Sequence, residues 1–253
     1  MMAAALWHQH QLNAQDRFEL VSFDLDGTLV DTAVEIVAAC NLALADFDVA
    51  ARAHDDVVSC IGHGTRELVL QQLARVLIAQ PALAARLPFD AVYARFQHHY
   101  AMTSGTTGQP YAGCNEALQL LDRAGVACVC VTNKEERFAR QVLDGTGLAG
   151  FFGSVVGGDT LAYKKPDRRV LEHVLAAHGV PARLAGHVGD SSIDVATARN
   201  SGVAAWAVPY GYNAGVPVAD SAPDGLFARL DELAAGIASG LLRPAVARVF
   251  IED

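Results

Sequence analysis

The stretch FELVSFDLDGTLVD, residues 18–31, decides how the rest of the chain is read. Its first half is a short apolar run, the pattern of a strand buried on both faces. The run ends in Asp24 and Asp26. In extended backbone, residues two apart face the same way, so the two carboxylates converge on one side. Such a pair is costly without a cation, because like charges raise each other's pKa. Gly27 lets the chain turn sharply as the strand ends. Taken alone, the stretch also fits an ordinary acidic turn after a strand.

Outward from this strand, apolar runs alternate with helical patterns. VACVCVTN (126–133), GSVV (153–156), LAGHVGD (184–190) and VAAWAV (203–208) read as further strands. Between them, 114–125 carries Leu118 and Leu121 on one face and stops at Gly125. Lys134 to Leu143 pairs Phe138 with Val142. Asp167 to His178 groups Val170, Val174 and Leu175. This βαβα rhythm predicts an α/β fold with a doubly wound parallel sheet, Rossmann-like in type. Residues 32–110 break the rhythm. They contain no convincing strand, and Thr32 with Glu35 forms a capping-box pattern. Val69, Leu73, Val76 and Leu77 share a helical face, as do Phe89, Val92, Phe96 and Tyr100. The expected division is an N-terminal extension (1–17), an α/β core (18–31 and 111–253) and an inserted α-helical cap (32–110). Leu226, Leu230, Leu233 and Ile237 predict a terminal helix on the core.

Composition narrows the function classes. The chain has 253 residues, of which 52% are hydrophobic, and a formal net charge of −9. That is enough apolar material for a substantial core. The acidic balance argues against nucleic acid or an anionic membrane as partner. Cys40, Cys60, Cys114, Cys128 and Cys130 have no C-x-x-C spacing and read as buried small hydrophobes, which suits a reducing compartment. No run reaches the roughly 18 apolar residues of a membrane span. The start has no basic residue ahead of its apolar run, so it makes a poor signal peptide. The expectation is a soluble cytoplasmic protein. His8 and His10 belong to a solvated tail on this reading.

Three more motifs lie at predicted strand ends. Thr132, Asn133 and Lys134 follow one strand; a hydroxyl and a helix N-terminus there suit a phosphate oxygen, or simply cap a helix. Lys164 and Lys165 precede Pro166, a residue suited to a helix's first turn. Gly189, Asp190, Ser191, Ser192, Ile193 and Asp194 place two carboxylates at the end of another strand. Hard oxygen ligands there suit Mg²⁺, although Asp190 or Ser192 could be a plain N-cap. Each signal is modest alone. Together they set carboxylates, a hydroxyl and a lysine on one edge of one predicted sheet.

In this order and spacing, the four motifs resemble those of the haloacid dehalogenase superfamily, over residues 18 to about 215. The helical insertion is similar to that superfamily's α-helical cap. The resemblance implies Asp24 as the nucleophile and Asp26 as the acid/base. It implies Thr132 and Asn133 as holders of the phosphoryl oxygens, and Lys165 as the cation beside Asp24. Asp24, the backbone carbonyl of Asp26 and Asp190 would hold Mg²⁺, with Asp194 orienting groups behind them. Lysine directly before proline selects Lys165 over Lys164. Arg168 is a departure, since many members carry a second proline there.

The retained Asp26 favours phosphoryl chemistry over dehalogenation. CIGHG (60–64), VTNK (131–134), GGDT (157–160) and PYGYN (209–213) are similar to bacterial phosphoglycolate phosphatases, which implies 2-phosphoglycolate as a small phosphate monoester substrate. A sugar phosphate, pyrophosphate or a mutase acceptor are the alternatives. A phosphate-binding regulator on the same fold is the non-enzymatic one. In the cap, Gly62 and Gly64 would permit a tight loop near the substrate, and Arg66 would offer a fork of donors to a carboxylate. Oligomeric state stays open at this level.

Overall fold

The computed structural model describes residues 17–244, so the expected tail with His8 and His10 lies outside the described residues. Six parallel strands form one sheet in the order β5-β4-β1-β6-β7-β8. They are β1 (Leu20–Phe23), β4 (Ala127–Val131), β5 (Ser154–Val156), β6 (Ala185–Gly189), β7 (Ala204–Ala207) and β8 (Gly225–Leu226). A separate antiparallel ribbon pairs β2 (Val30–Asp31) with β3 (Gln109–Pro110).

The strand alternation sorts side chains onto two faces. Val21, Phe23, Cys128, Cys130 and Trp206 point into a layer with α5 (Cys114–Arg123), α6 (Glu136–Gly145) and α9 (Leu230–Ala238). Leu20, Val129, Val131, Ala205 and Ala207 point the other way, onto α7 (Arg169–His178) and α8 (Ser192–Ser201). Helices therefore cover both faces, which is why these strands read as unbroken apolar runs. All five cysteines are free and buried in these layers or in the insertion. No helix among the described residues is long and apolar enough to cross a membrane.

Between β2 and β3 lie four α-helices, α1 (Ala33–Ala45), α2 (His54–Val58), α3 (Thr65–Ala79) and α4 (Phe89–Thr103), with a 3-10 helix (Pro81–Arg86) between the last two. They pack around their own core, in which Ile36, Val69, Leu73, Val92, Phe96 and Tyr100 are buried. Both covalent connections to the sheet run through the β2–β3 ribbon.

Several local expectations are corrected. The stretch 32–110 does contain a strand, β3, which is too short to show a period. Leu226 belongs to edge strand β8 and is 48% exposed, so it does not share the buried face of Leu230, Leu233 and Ile237 on α9. The Thr32–Glu35 capping box does not form. Thr32 Oγ1 donates instead to Asp26 Oδ1 at 2.6 Å, and the Glu35 carboxylate accepts the backbone N–H groups of Gly105, Thr107 and Gly108. The start of α1 is capped from afar by the Tyr212 hydroxyl, which accepts from the N–H groups of Thr32 and Ala33. Pro166 lies ahead of α7, which begins at Arg169; the Asp167 carboxylate caps it by accepting the Arg169 N–H. Lys134 lies outside α6, whose first N–H, that of Glu136, is taken by Asp159.

Candidate active site at the carboxyl edge of the sheet

The sheet's order reverses at β1, which has β4 on one side and β6 on the other. A crevice opens at the carboxyl ends of strands at such a point. Asp24 follows β1, Thr132 follows β4 and Asp190 follows β6, so three motifs meet there as direct extensions of neighbouring strands. Lys165 arrives from the loop beyond β5. Its Nζ donates to Asp24 Oδ1 and to Asp194 Oδ1, both at 2.7 Å. Asp194 stands on the first turn of α8, where its Oδ2 accepts the N–H and hydroxyl of Ser191 at 3.1 and 2.6 Å. Ser191 is thus the cap of α8, in place of Asp190 or Ser192. Asp190 Oδ1 accepts from Thr28 Oγ1 at 3.1 Å, and its Oδ2 from the N–H of Tyr212 at 2.6 Å.

Backbone geometry lets these groups approach. Gly27 has φ +85°, and a Cβ there would sit 2.6 Å from Asp190 Oδ2. Gly64, φ +94°, faces the site from the insertion, and its Cβ would lie 2.7 Å from the carbonyl oxygen of Asn133. Only glycine fits either place.

The charges do not balance within the protein. Asp24, Asp190 and Asp194 each offer a carboxylate oxygen within 4.8 Å of the others, and all three are buried. Lys165 answers Asp24 and Asp194; among the described ion pairs none involves Asp190. Burial, then the neighbouring Asp194 and Asp24, pushes Asp190 up to about 8. Burial also pushes Asp24 up to about 6, against the pull of Lys165. Asp194 is held below its ordinary range, because Lys165 and His187 outweigh its burial. Burial alone would lower Lys165, but Asp194 and Asp24 hold it above its usual value. His187 is lowered by burial. A neutral ring satisfies both its contacts, with Ser22 at 2.9 Å and Asp194 at 3.3 Å. Asp190, without a cationic partner among the described residues, forms an all-oxygen corner with Asp24 that fits a hard divalent cation such as Mg²⁺.

Asp26 faces the same crevice with a different set of partners. Its Oδ1 accepts from Lys134 Nζ at 2.5 Å and from Thr32 Oγ1, while Lys134 also donates to the Tyr100 hydroxyl at 2.5 Å. No described hydrogen bond reaches Asp26 Oδ2. Lys134 is 2% exposed. Burial would lower it, but Asp26 and Tyr100 hold it above its usual value. Asn133 donates from Nδ2 to the carbonyls of Gly62 and Lys165, at 3.0 and 3.1 Å, and so ties the insertion to the sheet edge. Its Oδ1 is buried without a partner.

The insertion roofs the crevice with Ile36, Ile61, Gly62, Gly64, Thr65 and Leu68 over Asp24, Asp26, Thr132, Asn133 and Lys134. The cleft between roof and sheet edge is narrow and partly open to solvent. The sequence-predicted residues Asp24, Asp26, Thr132, Asn133, Gly64, Lys165, Asp190 and Asp194 therefore lie together. Arg66 does not join them: it is exposed, and its guanidinium lies over the Phe89 ring, 4.6 Å from the centroid. Lys164 donates to the carbonyl of His63 at 3.0 Å and takes no part in the carboxylate network. Sequence reasoning missed Lys134, Thr32, Tyr100, Glu135, Tyr212 and His187. Lys134 was in view beside Thr132, but its destination depends on a fold contact with Asp26.

A family model described as haloacid dehalogenase-like hydrolase matches residues 21–208. The chain belongs to this family. Among its curated relatives, the "Phosphoglycolate phosphatase, plasmid" of Cupriavidus necator is 39% identical over 226 residues, covering 89% of this chain and 95% of that one. The phosphoglycolate phosphatase of Vibrio cholerae is 34% identical over 206 residues, covering 81% and 91%. A solved structure, described as a predicted phosphoglycolate phosphatase from Haemophilus somnus, superposes with a TM-score of 0.81 at 27% identity. It covers 85% of this chain and 96% of that one. As a haloacid dehalogenase-like hydrolase, the chain thus carries its family's sheet, and the motif residues read from sequence stand at the carboxyl edge of that sheet.

Proposed function

We propose that this hydrolase is a Mg²⁺-dependent phosphatase that converts 2-phosphoglycolate to glycolate and phosphate through an aspartyl-phosphate on Asp24. The observation that carries the reading is the split character of the two aspartates after β1. Asp24 sits between Lys165 and the cation-demanding Asp190, whereas Asp26 sits two residues on with one oxygen pinned and the other without a partner. The first environment suits a nucleophile attacking an anion, the second a proton carrier. The relatives named phosphoglycolate phosphatase support the substrate.

Asp24 Oδ1 is held by Lys165, which leaves Oδ2 to attack phosphorus. Asp26 Oδ2 gives its proton to the departing glycolate oxygen. A water then attacks the phosphoryl group on Asp24, Asp26 takes its proton back, and phosphate leaves. Thr132 and Asn133 steady the phosphoryl oxygens, and Lys165 offsets their charge. Asp24, the Asp26 carbonyl and Asp190 would hold Mg²⁺, which supplies charge neutralisation at the phosphoryl oxygens. Asp194 positions Lys165. The insertion acts as the cap that excludes water and bulky leaving groups. Its roof is apolar at Ile36, Ile61 and Leu68 and leaves little space, which favours a small ester over a hexose phosphate. Arg66, stacked on Phe89, is not among the residues lining the cleft and is a weak candidate for the substrate carboxylate.

A panel of 2-phosphoglycolate, hexose phosphates, pyrophosphate and a nucleotide, each with Mg²⁺, tests the assignment. The expected result is the highest kcat/KM on 2-phosphoglycolate; preference for a hexose phosphate or pyrophosphate would overturn the substrate, and no phosphate release from any would overturn the activity.

A further inference from the structure

We propose that Glu135 is a specificity-determining positioning residue: its carboxylate clasps two helices of the cap over the active site and so restricts the leaving group to a small one. The substrate side of this inference rests on the phosphatase reading; its geometry does not.

Glu135 directly follows Thr132, Asn133 and Lys134 and occupies the cap position of α6. Its two oxygens accept from Thr65 Oγ1 at 2.5 and 2.7 Å. Its Oε1 also accepts from the Tyr93 hydroxyl. Every described hydrogen bond to this side chain comes from the cap, and none of the described ion pairs includes it. A half-buried carboxylate held only by hydroxyls of another module is an interaction between modules, and bonds to an ionised acceptor are the stronger kind.

The two donors sit where they control the cleft. Thr65 is the first residue of α3 and lines the cavity. Tyr93 belongs to α4, its ring stacked between Phe89 and Phe96 at centroid distances of 5.7 and 6.5 Å. One carboxylate therefore fixes both helices against the segment that would grip phosphate. Thr65 lines the cleft from the insertion's side, opposite Asp24, Asp26 and Thr132. The clasp limits how far the roof lifts from the sheet edge, and a hexose leaving group demands more lift than a two-carbon one.

The test compares wild type with Glu135→Ala, Glu135→Gln and Tyr93→Phe. The ratio of kcat/KM for 2-phosphoglycolate to that for glucose 6-phosphate is measured with Mg²⁺. Hydrogen–deuterium exchange is followed over residues 62–66. Losing bonds to a charged acceptor is expected to lower the ratio about tenfold or more in Glu135→Ala, and less in the other two variants. Exchange over 62–66 should rise while Phe96–Tyr100 and β1 stay protected. A merely structural role would raise exchange throughout the cap and lower both kcat/KM values alike, and that result overturns the proposal. So does an unchanged ratio in Glu135→Ala. If wild type hydrolyses neither ester, the phosphatase reading falls, and wild-type exchange over 62–66 in the alanine variant would then overturn the clasp as well.

Discussion

Lys134 Nζ lies 2.5 Å from Asp26 Oδ1, buried beneath the Tyr100 hydroxyl of the cap. Thr32 Oγ1 donates to the same oxygen. Both fasteners therefore fall on one side of the carboxylate, and the other oxygen is left to work. Because Thr32 and Tyr100 belong to the cap's first and last helices or their edges, the orientation of Asp26 is tied to the cap's position.

This relationship predicts a leaving-group signature. Lys134→Met removes the cation but keeps the side chain's bulk. General acid–base catalysis contributes about 10²- to 10⁴-fold. Its loss should appear as a fall of about 10²-fold in kcat on 2-phosphoglycolate, whose alkoxide needs a proton. On p-nitrophenyl phosphate, whose leaving group needs none, the fall should stay under about tenfold. Steady-state kinetics on both esters check this; equal losses on the two would show that Lys134 does not act through Asp26.

The carboxylate corner predicts how stability changes with pH and metal. Asp24 and Asp190 are raised in the fold, to about 6 and about 8, so the folded protein binds protons that the unfolded chain releases from pH 4 upward. Their contribution is present below the ordinary carboxylate range and is lost as pH rises through 6 and then 8. Asp194 shifts downward, so its contribution is lost only at more acid pH and does not enter this window. His187, lowered from 6.5 by burial, works the other way at lower pH, so the Tm of EDTA-treated protein should fall chiefly between pH 6.5 and 8. Mg²⁺ binds the deprotonated corner, so its stabilising effect should grow over the same interval, to roughly 5–10 °C at about 100-fold excess over Kd. Asp190→Asn should blunt both effects. Calorimetric scans at pH 5, 6.5 and 8 with and without Mg²⁺ decide it.

Gly64 predicts a defect confined to cap docking. Gly64→Ala puts a methyl 2.7 Å from the Asn133 carbonyl at φ +94°. Strain of about 1–3 kcal/mol should lower kcat/KM by about 5- to 150-fold. The apo Tm should change less than for a buried core truncation such as Phe96→Ala. Kinetics and thermal scans of the two variants make the comparison.

Much of this architecture was legible in the chain, for identifiable reasons. Strands buried on both faces announce themselves as apolar runs, and the carboxylates that end β1 and β6 stand in sequence beside those runs. The sheet edge at Asp24, Thr132 and Asp190 follows from that. What escaped depended on partners distant in sequence. Thr32 looked like the cap of α1 because Glu35 stands three residues on; its hydroxyl is drawn to Asp26, and Tyr212, 180 residues away, caps the helix. Lys134 looked like the first residue of α6 because nothing local shows that Asp26 and Tyr100 claim it. β3 and β8 are two residues long and cannot display a period. Arg66 had the right chemistry for a carboxylate, but the turn of α3 carries it onto Phe89.

The most direct test of the central claim is phosphate release from 2-phosphoglycolate by wild type and by Asp24→Asn, each with Mg²⁺ and with EDTA. The account predicts turnover only for wild type with Mg²⁺, and a folded Asp24→Asn protein that releases no phosphate. Phosphate release by Asp24→Asn at the wild-type rate, or wild-type turnover undiminished in EDTA, would contradict it.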